Sequence, residues 1–302
     1  MPNFLGIRRD PSFSPDHVEN DSEIFRLTAQ ALRDRHFEVT ERSEKDLPSQ
    51  PLDFDAVFTM ARDRRSLSSL LTVERSGKLT INSPTGILNC YRFNMVPILQ
   101  EAGIPFPRST MITTDDGQVL REFLHERNDG WIKRGDVHAV VRTRDVSHFR
   151  SAEGFLDVIR DFQSRRIEGA VVQEHVVGDT VKFYAIRGGS FFRWYFQDEV
   201  ANEGLDPDRL FNLAEQAAAA LEIEVYGGDA IVTPRGEIII VDMNDWPTFA
   251  PFREEASRAI ADHLIQRVSG IHDLSRNQRM DVSGPKDSET VRSKNILRLR
   301  KA

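Results

Sequence analysis

Three oxygen-bearing side chains in residues 226–249 have the types and spacing of a metal site. Asp229 lies in one apolar run, Asp242 and Asn244 lie in the next, and a Thr-Pro-Arg-Gly turn separates the two runs. This pattern predicts a β-hairpin. Side chains alternate along a strand, so Asp242 and Asn244 share a face, and the hairpin can bring Asp229 beside them. Two carboxylates and an amide oxygen predict a site for Mg²⁺ rather than Zn²⁺.

An aspartate at a strand end also has a simpler interpretation, as a turn or cap residue. Asp242, however, follows the run Ile-Ile-Ile-Val at residues 238–241, which is typical of a covered central strand. A carboxylate at the end of such a strand needs a partner, which favours a bound cation.

Two lysines are candidates for binding a nucleotide. Lys133 ends a predicted strand at residues 130–133, and Lys182 lies in another at residues 181–186. A lysine within an apolar strand is costly unless its charge is met, and the phosphates of ATP would meet it. The alternative is that each lysine lies at an exposed strand edge. The combination of both with a carboxylate hairpin favours the nucleotide interpretation.

The segment Val-Val-Gln-Glu-His-Val at residues 171–176 is predicted to link two lobes. An adenine ring needs an apolar slot with backbone donors and acceptors at its edge, which an extended segment containing Gln173, Glu174 and Val176 can supply. Asp179, just beyond, can accept hydrogen bonds from ribose hydroxyls. A plain turn residue beside Gly178 is the alternative for Asp179.

Two further residues are candidates for handling the substrate. His138 lies on a polar loop with Arg134, Arg142 and Arg144 close in sequence, which suits anion binding or proton transfer. A lone histidine more often has a structural or exposed role, and that alternative stays open. Arg193, near a Gly-Gly turn, can add an anion contact, although an exposed hairpin tip is the plainer interpretation.

The bulk composition narrows the class of protein. A chain of 302 residues, 39% hydrophobic and 29% charged, allows about two globular domains. Its formal net charge of −7 argues against a general nucleic-acid binder. The one cysteine, Cys90, permits no internal disulfide, and no segment has the pattern of a signal peptide or membrane span. We therefore expect a soluble cytoplasmic protein. P-loop and dinucleotide-binding glycine motifs are absent from the sequence.

The elements around these residues alternate between strand and helix. Strands predicted at residues 3–7, 37–40, 54–60 and 79–82, with helices between them, indicate a small parallel α/β domain. Asn94 is the predicted cap of a helix that reaches Ala102. Further strands are predicted at 109–113, 130–133, 138–143, 171–176, 181–186 and 191–196, and helices at 118–127, 152–165, 207–221 and 253–268. From Ser275 onward, eight Lys or Arg and three acidic residues indicate a mobile basic tail.

In this order, the elements resemble the ATP-grasp superfamily over about residues 82–268. Asn82-Ser-Pro-Thr-Gly-Ile, Arg92 and Ala102-Gly-Ile-Pro-Phe-Pro resemble the entry to that fold in RimK-like ligases. The resemblance implies an α/β (α+β) chain with two α+β lobes that clasp ATP, preceded by a small parallel α/β domain. The implied divisions are a domain at 1–81, a linker helix and lid lobe at 82–172, a core lobe at 173–270 and a tail at 271–302.

The resemblance also implies roles for individual residues. Lys133 matches the lid lysine that holds the ATP phosphates, and Lys182 matches the basic residue that faces them from the next strand. Gln173 and Glu174 match the adenine hinge. The three magnesium ligands match Asp229, Asp242 and Asn244.

Three departures from the family pattern stand out. Arg92 takes the place of the first phosphate-contacting lysine. Arg134-Gly-Asp-Val-His-Ala replaces the glycine-rich lid loop. Asp242 replaces a glutamate that ligases usually have, and this Asp form also resembles the inositol polyphosphate kinases of the same fold.

The activity implied is that of an ATP- and Mg²⁺-dependent ligase, with Mn²⁺ as an alternative metal, joining a carboxylate to an amine through an acylphosphate. One alternative is a small-molecule kinase that phosphorylates a polyol or inositol phosphate. A second is a nucleotide-binding regulator without turnover. The expected partner is a small anionic acceptor, with no membrane and no nucleic acid, and oligomerisation is left open.

Overall fold

The chain begins with a parallel sheet. The computed structural model describes residues 2–47, 54–115, 129–137, 142, 144–197 and 204–281, the last eleven by their backbone only. Strands β1 (Asn3–Arg8), β2 (Glu38–Ser43), β3 (Ala56–Thr59) and β4 (Leu79–Ile81) are parallel and lie in the order β2-β1-β3-β4. Helices α1 (Val18–Arg33) and α2 (Arg64–Arg75) connect successive strands. The predicted small α/β domain therefore has the predicted kind of fold.

Both faces of β1 are covered, which explains its continuous apolar run. Phe4 packs in one core cluster with Ile24 of α1, while Leu5 packs in another cluster with Leu67 of α2. A parallel strand buried on both faces needs apolar residues at successive positions rather than at alternate ones.

Two helices and a second sheet follow. Helices α3 (Pro84–Asn89) and α4 (Arg92–Glu101) lead into an antiparallel sheet with the order β5-β8-β6-β7, which we call the lid sheet. Its strands are β5 (Ser109–Thr113), β6 (Gly130–Arg134), β7 (Val146–Phe149) and β8 (Gly169–Gln173). Helix α5 (Ala152–Ser164) packs on one face of it through Phe155, Ile159 and Phe162.

The predicted cap of α4 is wrong. The helix begins at Arg92 with Tyr91 at the N-cap, and the Asn94 side chain instead donates to the Leu88 carbonyl. Pro97 consequently lies inside the helix, beyond the first turn in which a proline costs no hydrogen bond. The earlier start matters because it places Arg92 on the helix.

A third sheet, which we call the core sheet, has the order β10-β9-β11-β12. Its strands are β9 (Asp179–Ile186), β10 (Phe191–Phe196), β11 (Val225–Val232) and β12 (Ile238–Asp245), all antiparallel to their neighbours. One face packs on helix α6 (Pro207–Leu221). On the other face, Ile186, Phe191 and Val225 pack in one cluster with apolar residues of helix α7 (Arg253–Asp281). The remainder of that second face carries the polar residues described below.

One predicted helix is longer in the structure, and two predicted elements lie wholly or mostly outside the described residues. Helix α7 runs to Asp281, thirteen residues past the predicted end at Val268, so the region predicted as a tail begins inside this helix. The predicted helix at 118–127 and most of the predicted strand at 138–143, including His138, lie outside the described residues. By contact, the chain divides into Met1–Val268 and Ser269–Ala302, and all residues of the candidate site belong to the first unit. Among the described helices, none combines the length and apolar character needed to cross a bilayer.

Asn82 fastens the start of β11 to the end of β4. Its side-chain oxygen accepts from the backbone N–H groups of Glu224 and Val225, both at 2.8 Å, and its amide nitrogen donates to the Val225 carbonyl at 2.7 Å. The residue is fully buried, so these backbone groups have little access to water as an alternative partner. Asn82 thereby holds in place the strand that carries Asp229.

We expect Asn82→Ala to lower the free energy of unfolding by about 2–4 kcal/mol, because two backbone N–H groups and one backbone carbonyl each lose a hydrogen bond to this side chain. Urea denaturation measures the change. Asn94→Ala is the control, since this exposed side chain makes a single hydrogen bond, and its loss should cost about 1 kcal/mol or less. Equal losses in the two variants would contradict the role given to Asn82.

Candidate functional site

A cleft of about 440 Å³ lies between the end of the N-terminal sheet and the polar face of the core sheet. Its N-terminal wall comes from the segment between β1 and α1, the first turn of α1 and the loop after β3, and Arg92 at the start of α4 also lines the cleft. Its other wall comes from β9, β11, β12 and the residues after β12. The lining residues include Arg9, Asp16, His17, Asn20, Asp21, Arg62, Arg92, Lys182, Tyr184, Tyr195, Asp229, Asp242, Asn244 and Pro247.

Three charged residues lie opposite one another across three neighbouring strands. Asp229 on β11 pairs in register with Asp242 on β12 and with Lys182 on β9. Residues that are directly opposite in an antiparallel ladder project from the same face. Lys182 Nζ lies 2.8 Å from Asp229 Oδ1, while Asn244 is opposite Gly227 one row further along. The hairpin therefore brings together the three side chains predicted to bind a metal.

A bulge sets the direction in which Asp242 points. The register runs from Asp229 opposite Asp242 to Ala230 opposite Ile240, so Val241 is an extra residue without a cross-strand partner. Ile240 before the bulge and Met243 after it both pack in the core cluster with α6. Residues 240 and 243 would lie on opposite faces of a regular strand, so the bulge shifts the alternation by one residue. Asp242 and Asn244 consequently face the cleft, within the strand rather than at its end.

The chemistry of this cluster fits Mg²⁺. Asp242 Oδ1 is buried and has no hydrogen-bond partner among the described residues, and such an atom favours a cation. Within the same residues, no group of three or more His, Cys, Asp or Glu side chains has a metal-binding arrangement. Two carboxylates and an amide would leave several positions of an octahedral shell to water and phosphate oxygens, which is how Mg²⁺ is usually bound.

Cations surround the carboxylates. Lys133 Nζ on the lid sheet donates a hydrogen bond of 3.2 Å to the carbonyl of Val241, the extra residue of the bulge. Burial lowers the pKa of Lys133 to about 8; Arg92 acts in the same direction and Asp242 opposes it. Burial also lowers the pKa of Arg92, with Asp242 opposing. Arg92 Nη1 donates to the Arg134 carbonyl, whereas its buried Nε has no partner among the described residues.

In the ion pair of Lys182 and Asp229, both groups have pKa values above their usual values. Burial raises the pKa of Asp229, Lys182 opposes this, and Asp242 adds to the increase. For Lys182, burial lowers the pKa, but Asp229 and other acidic neighbours outweigh burial and the pKa lies above its usual value. Lys182 therefore remains a cation at neutral pH and balances one of the two carboxylates.

The side of the lid sheet that α5 leaves uncovered carries Lys133, which contacts the core sheet at the Val241 carbonyl. Lys133, Val171 and Met111 are opposite one another across β6, β8 and β5, and Trp131 and Gln173 form the next row. The intervening residues Ile112, Ile132 and Val172 pack on α5. Ile231 and Ile239, half-buried and opposite each other in the hairpin, share the face of Asp229. Apolar surface thus flanks the cation cluster on both sheets.

Trp131 is part of a stack of three rings. Its ring lies parallel to that of His148, with centroids 4.7 Å apart, and the His148 and His175 rings are also 4.7 Å apart. Trp131 Nε1 donates to His175 Nδ1 at 3.1 Å, and His148 Nε2 is 2.6 Å from Asp129 Oδ1. The stack joins β6, β7 and the segment after β8, and it lies two residues along β6 from Lys133.

The other predicted site residues are dispersed. Gln173 is buried and donates to Ser109 Oγ, while the backbone N–H of exposed Glu174 donates to the Arg108 carbonyl. Val176 and Asp179 are half-buried, Asp179 as the first residue of β9. Arg193 is exposed, pairs with Glu255 and does not line the cleft. His138 lies outside the described residues.

Several lining or neighbouring residues were not predicted from the sequence. Arg9 follows β1 and Arg62 follows β3, so both lie beyond the carboxyl ends of adjacent parallel strands, where α/β proteins bind ligands. That signal needs the strand order, which the sequence alone did not supply. Trp131 is two residues from Lys133 in the same strand, and this spacing could have identified it.

Solved structures of known enzymes share this architecture. The structure aligns with D-alanine–D-alanine ligase from Bacillus anthracis with a TM-score of 0.69 and 12% sequence identity. The alignment covers 91% of this chain and 100% of the ligase chain. For a RimK domain ATP-grasp protein from Sphaerobacter thermophilus, the TM-score is 0.63 at 16% identity, over 85% of this chain and 98% of that one. For the ATP-grasp ligase PsnB complexed with its minimal precursor, the TM-score is 0.60 at 18% identity, over 88% of this chain and 99% of the PsnB chain. No family model and no curated protein matches the sequence. At these identities the likeness establishes the fold.

We expect Lys133 to lose its proton near pH 8 in the metal-free protein, because burial disfavours its charged form. Competitive acetylation with acetic anhydride in EDTA, followed by mass spectrometry of the peptides, measures this. Lys182 is the internal control and should become reactive only at a pH above that of an ordinary lysine, since its pKa is raised. Asp242→Asn should move the Lys133 midpoint further down by removing an opposing charge. A Lys133 midpoint equal to or above that of Lys182 would contradict this geometry.

Proposed function

We propose that this chain, which has the ATP-grasp fold, is an ATP- and Mg²⁺-dependent ligase that joins a carboxylate to an amine. The proposal is supported by the grouping of Asp229, Asp242 and Asn244 with Lys182 and Arg92 in one cleft. Lys133 of the lid sheet contacts the carbonyl of Val241, the residue before Asp242. Structures similar to this chain include a D-alanine–D-alanine ligase complexed with ATP and PsnB complexed with a precursor peptide and AMPPNP. Under this proposal, the N-terminal domain spans residues 1–81, the linker helix and lid lobe 82–172, and the core lobe 173–270.

The cations of the cleft would bind the triphosphate. Lys133 reaches the core sheet from the lid side, Lys182 lies on β9, and Arg92 has a buried Nε without a partner among the described residues. In phosphoryl transfer the protein contributes mainly positioning and charge neutralisation, so three cations on different elements are the equipment such a reaction needs. Asp229, Asp242 and Asn244 would hold Mg²⁺, which would neutralise charge on the phosphate oxygens.

The base of the nucleotide would lie toward the hinge after β8. Val171 and Met111 on the lid sheet and Ile231 and Ile239 on the core sheet would supply the apolar slot, and residues 173–176 its polar edge. Trp131 would form the wall of this slot nearest the hinge, held in position by His148 and His175.

In the reaction, a carboxylate oxygen of the acid substrate attacks the γ-phosphorus, and ADP departs. The resulting acylphosphate is then attacked at its carbonyl carbon by the amine, which loses a proton and displaces phosphate to form an amide. The apolar walls of the slot and the buried position of Arg92 limit water around the reacting groups, which protects an acylphosphate from hydrolysis.

The composition of the cleft favours a ligase over a polyol phosphate kinase. The charged lining residues are balanced, with four cations and four carboxylates: Arg9, Arg62, Arg92 and Lys182 against Asp16, Asp21, Asp229 and Asp242. A polyphosphate acceptor would need a clear excess of cations beyond those that ATP uses. A wall that carries both signs suits a substrate with acidic and amino groups.

We expect Asp242→Asn to reduce ADP release by about 100-fold or more, because a charge-stabilising group at the phosphates is lost. The assay uses a panel of carboxylic acids and amines with mass spectrometry of the products. An amide with free phosphate is expected, and a phosphorylated alcohol would replace the ligase with a kinase. Asp208→Asn, at an exposed position in α6, is the control and should keep full activity. Unchanged turnover in the Asp242 variant, with an unchanged thermal unfolding temperature, would refute this role.

We expect ADP to quench the fluorescence of Trp131, because a base in the slot would contact the indole. Trp194→Phe should keep the quench, since Trp194 packs with the cluster on the opposite face of the core sheet. Trp131→Phe should lose the quench and bind ADP about 10-fold more weakly, while affinity for tripolyphosphate should change little. If ADP binds the Trp131 variant with wild-type affinity, the base lies elsewhere.

A further inference from the structure

The two central strands of the N-terminal sheet end at the cleft. In the order β2-β1-β3-β4, the connections from β1 and β3 leave in opposite directions, so the gap between these strands is the topological switch point. Open parallel sheets bind ligands at the carboxyl ends of the strands that flank such a point. Arg9 follows β1, Arg62 follows β3, and both line the cleft.

The two arginines differ in the hydrogen-bonding capacity that they have left. Arg9 is held by three acceptors: Nε donates to the Met60 carbonyl, Nη1 to Asp21 and Nη2 to the Trp246 carbonyl. Among the described residues, the Arg62 guanidinium has a long contact of 3.5 Å from Nη2 to Asp245 Oδ1. Its Nε is buried and has no partner among the described residues, although the side chain is only 5% exposed. Arg9 therefore has a structural role, whereas Arg62 retains donors for a ligand.

The start of α1 lies on the same wall. The helix begins at Val18, and His17 at its N-cap makes no side-chain capping bond. His17 and Asn20 both line the cleft. The first N–H groups of a helix have no partner within it, and the helix dipole favours an anion at that end. A buried guanidinium and a helix start thus flank the same part of the cleft.

The N-terminal wall carries Arg9 and Arg62 together with the carboxylates of Asp16 and Asp21, and buried Asp245 lies 3.5 Å from Arg62. Asp21 is paired with Arg9 at 3.0 Å; burial and Arg9 lower the pKa of Arg62 to about 10, and Asp245 opposes this change. Arg62 therefore stays protonated at neutral pH. A buried guanidinium with unused donors is costly unless a carboxylate or phosphate completes its hydrogen bonding.

We propose that Arg62 and the start of α1 bind a second anionic group of the acid substrate, a carboxylate or a phosphate, so that the substrate is a diacid. This inference rests on the proposed function. One carboxylate of the substrate reacts at the phosphates beside Asp229 and Asp242, and the other group is held at the N-terminal wall. Arg62 thus selects acids that carry two negative groups over monocarboxylates of the same size.

The test measures binding without turnover. The full-length protein is saturated with Mg²⁺ and AMPPNP, and five probes are titrated at constant ionic strength: glutarate, L-glutamate, O-phospho-L-serine, butyrate and L-alanine. Isothermal calorimetry should show at least 10-fold tighter binding of one of the diacids than of the monoacids. Preference for phosphoserine over the dicarboxylates identifies the second group as a phosphate, and the reverse preference identifies a carboxylate.

Variants of Arg62 connect the preference to this residue. Arg62→Met should weaken diacid binding by about 10-fold or more and leave monoacid binding within about 2-fold, and Arg62→Lys should recover part of the loss. Arg235→Met, at an exposed turn, is the control and should match the wild type. AMPPNP affinity shows whether each variant is folded, and Arg62→Gln replaces the Met variant if that one loses it.

The outcomes separate the two proposals. Failure of the wild type to bind Mg²⁺ and AMPPNP would overturn the proposed function. Normal nucleotide binding overturns only the role of Arg62 in two cases: if no diacid binds more tightly than its monoacid, or if the Arg62 variants keep the wild-type preference.

Discussion

The candidate site depends on one extra residue in strand β12. Without the bulge at Val241, the alternation that buries Ile238 and Ile240 against α6 would also direct Asp242 and Asn244 into that core. With it, the strand keeps its apolar anchor, Met243 takes over the core face, and the polar pair turns to the cleft. The same irregularity leaves the Val241 carbonyl for Lys133. A bulge is thus the local solution to two requirements that a regular strand cannot satisfy together.

Around this hairpin, several of the partly or fully buried charges lie in pairs. Lys182 neutralises Asp229, Arg9 neutralises Asp21, and Arg62 lies beside Asp245. Pairing is a condition for keeping charges away from water, because an isolated ion in a protein interior costs several kcal/mol or more. The pairs also join segments that are distant in sequence, with Arg9 contacting both Asp21 and the Trp246 carbonyl. Charge compensation and the assembly of the cleft are therefore the same set of contacts.

Short-range patterns predicted much of the fold and part of the site. The hairpin, the pairing of Asp229 with Asp242, the position of Lys133 in a strand and the parallel N-terminal sheet all follow from alternation and turn residues. The bulge could not be predicted, because the run at residues 238–241 is apolar at every position and carries no alternation to interrupt. The start of α4 was misplaced because Asn94 is a good cap by type, whereas Tyr91 has no capping signal. Arg62 and the stack of Trp131 depend on which strands are neighbours, and that information is spread over the whole chain.

The ion pair between Lys182 and Asp229 has a consequence for the order in which ligands bind. A divalent cation that arrives alone must compete with the Lys182 ammonium group for the Asp229 carboxylate, and it weakens the ion pair that compensates the lysine. Triphosphate oxygens would offer the lysine a replacement. Under the proposed function, nucleotide and metal therefore bind with positive cooperativity, each increasing the affinity for the other by the same factor, as thermodynamic linkage requires. A single salt bridge would in this way weaken metal binding when no nucleotide is bound and favour it when the nucleotide is present.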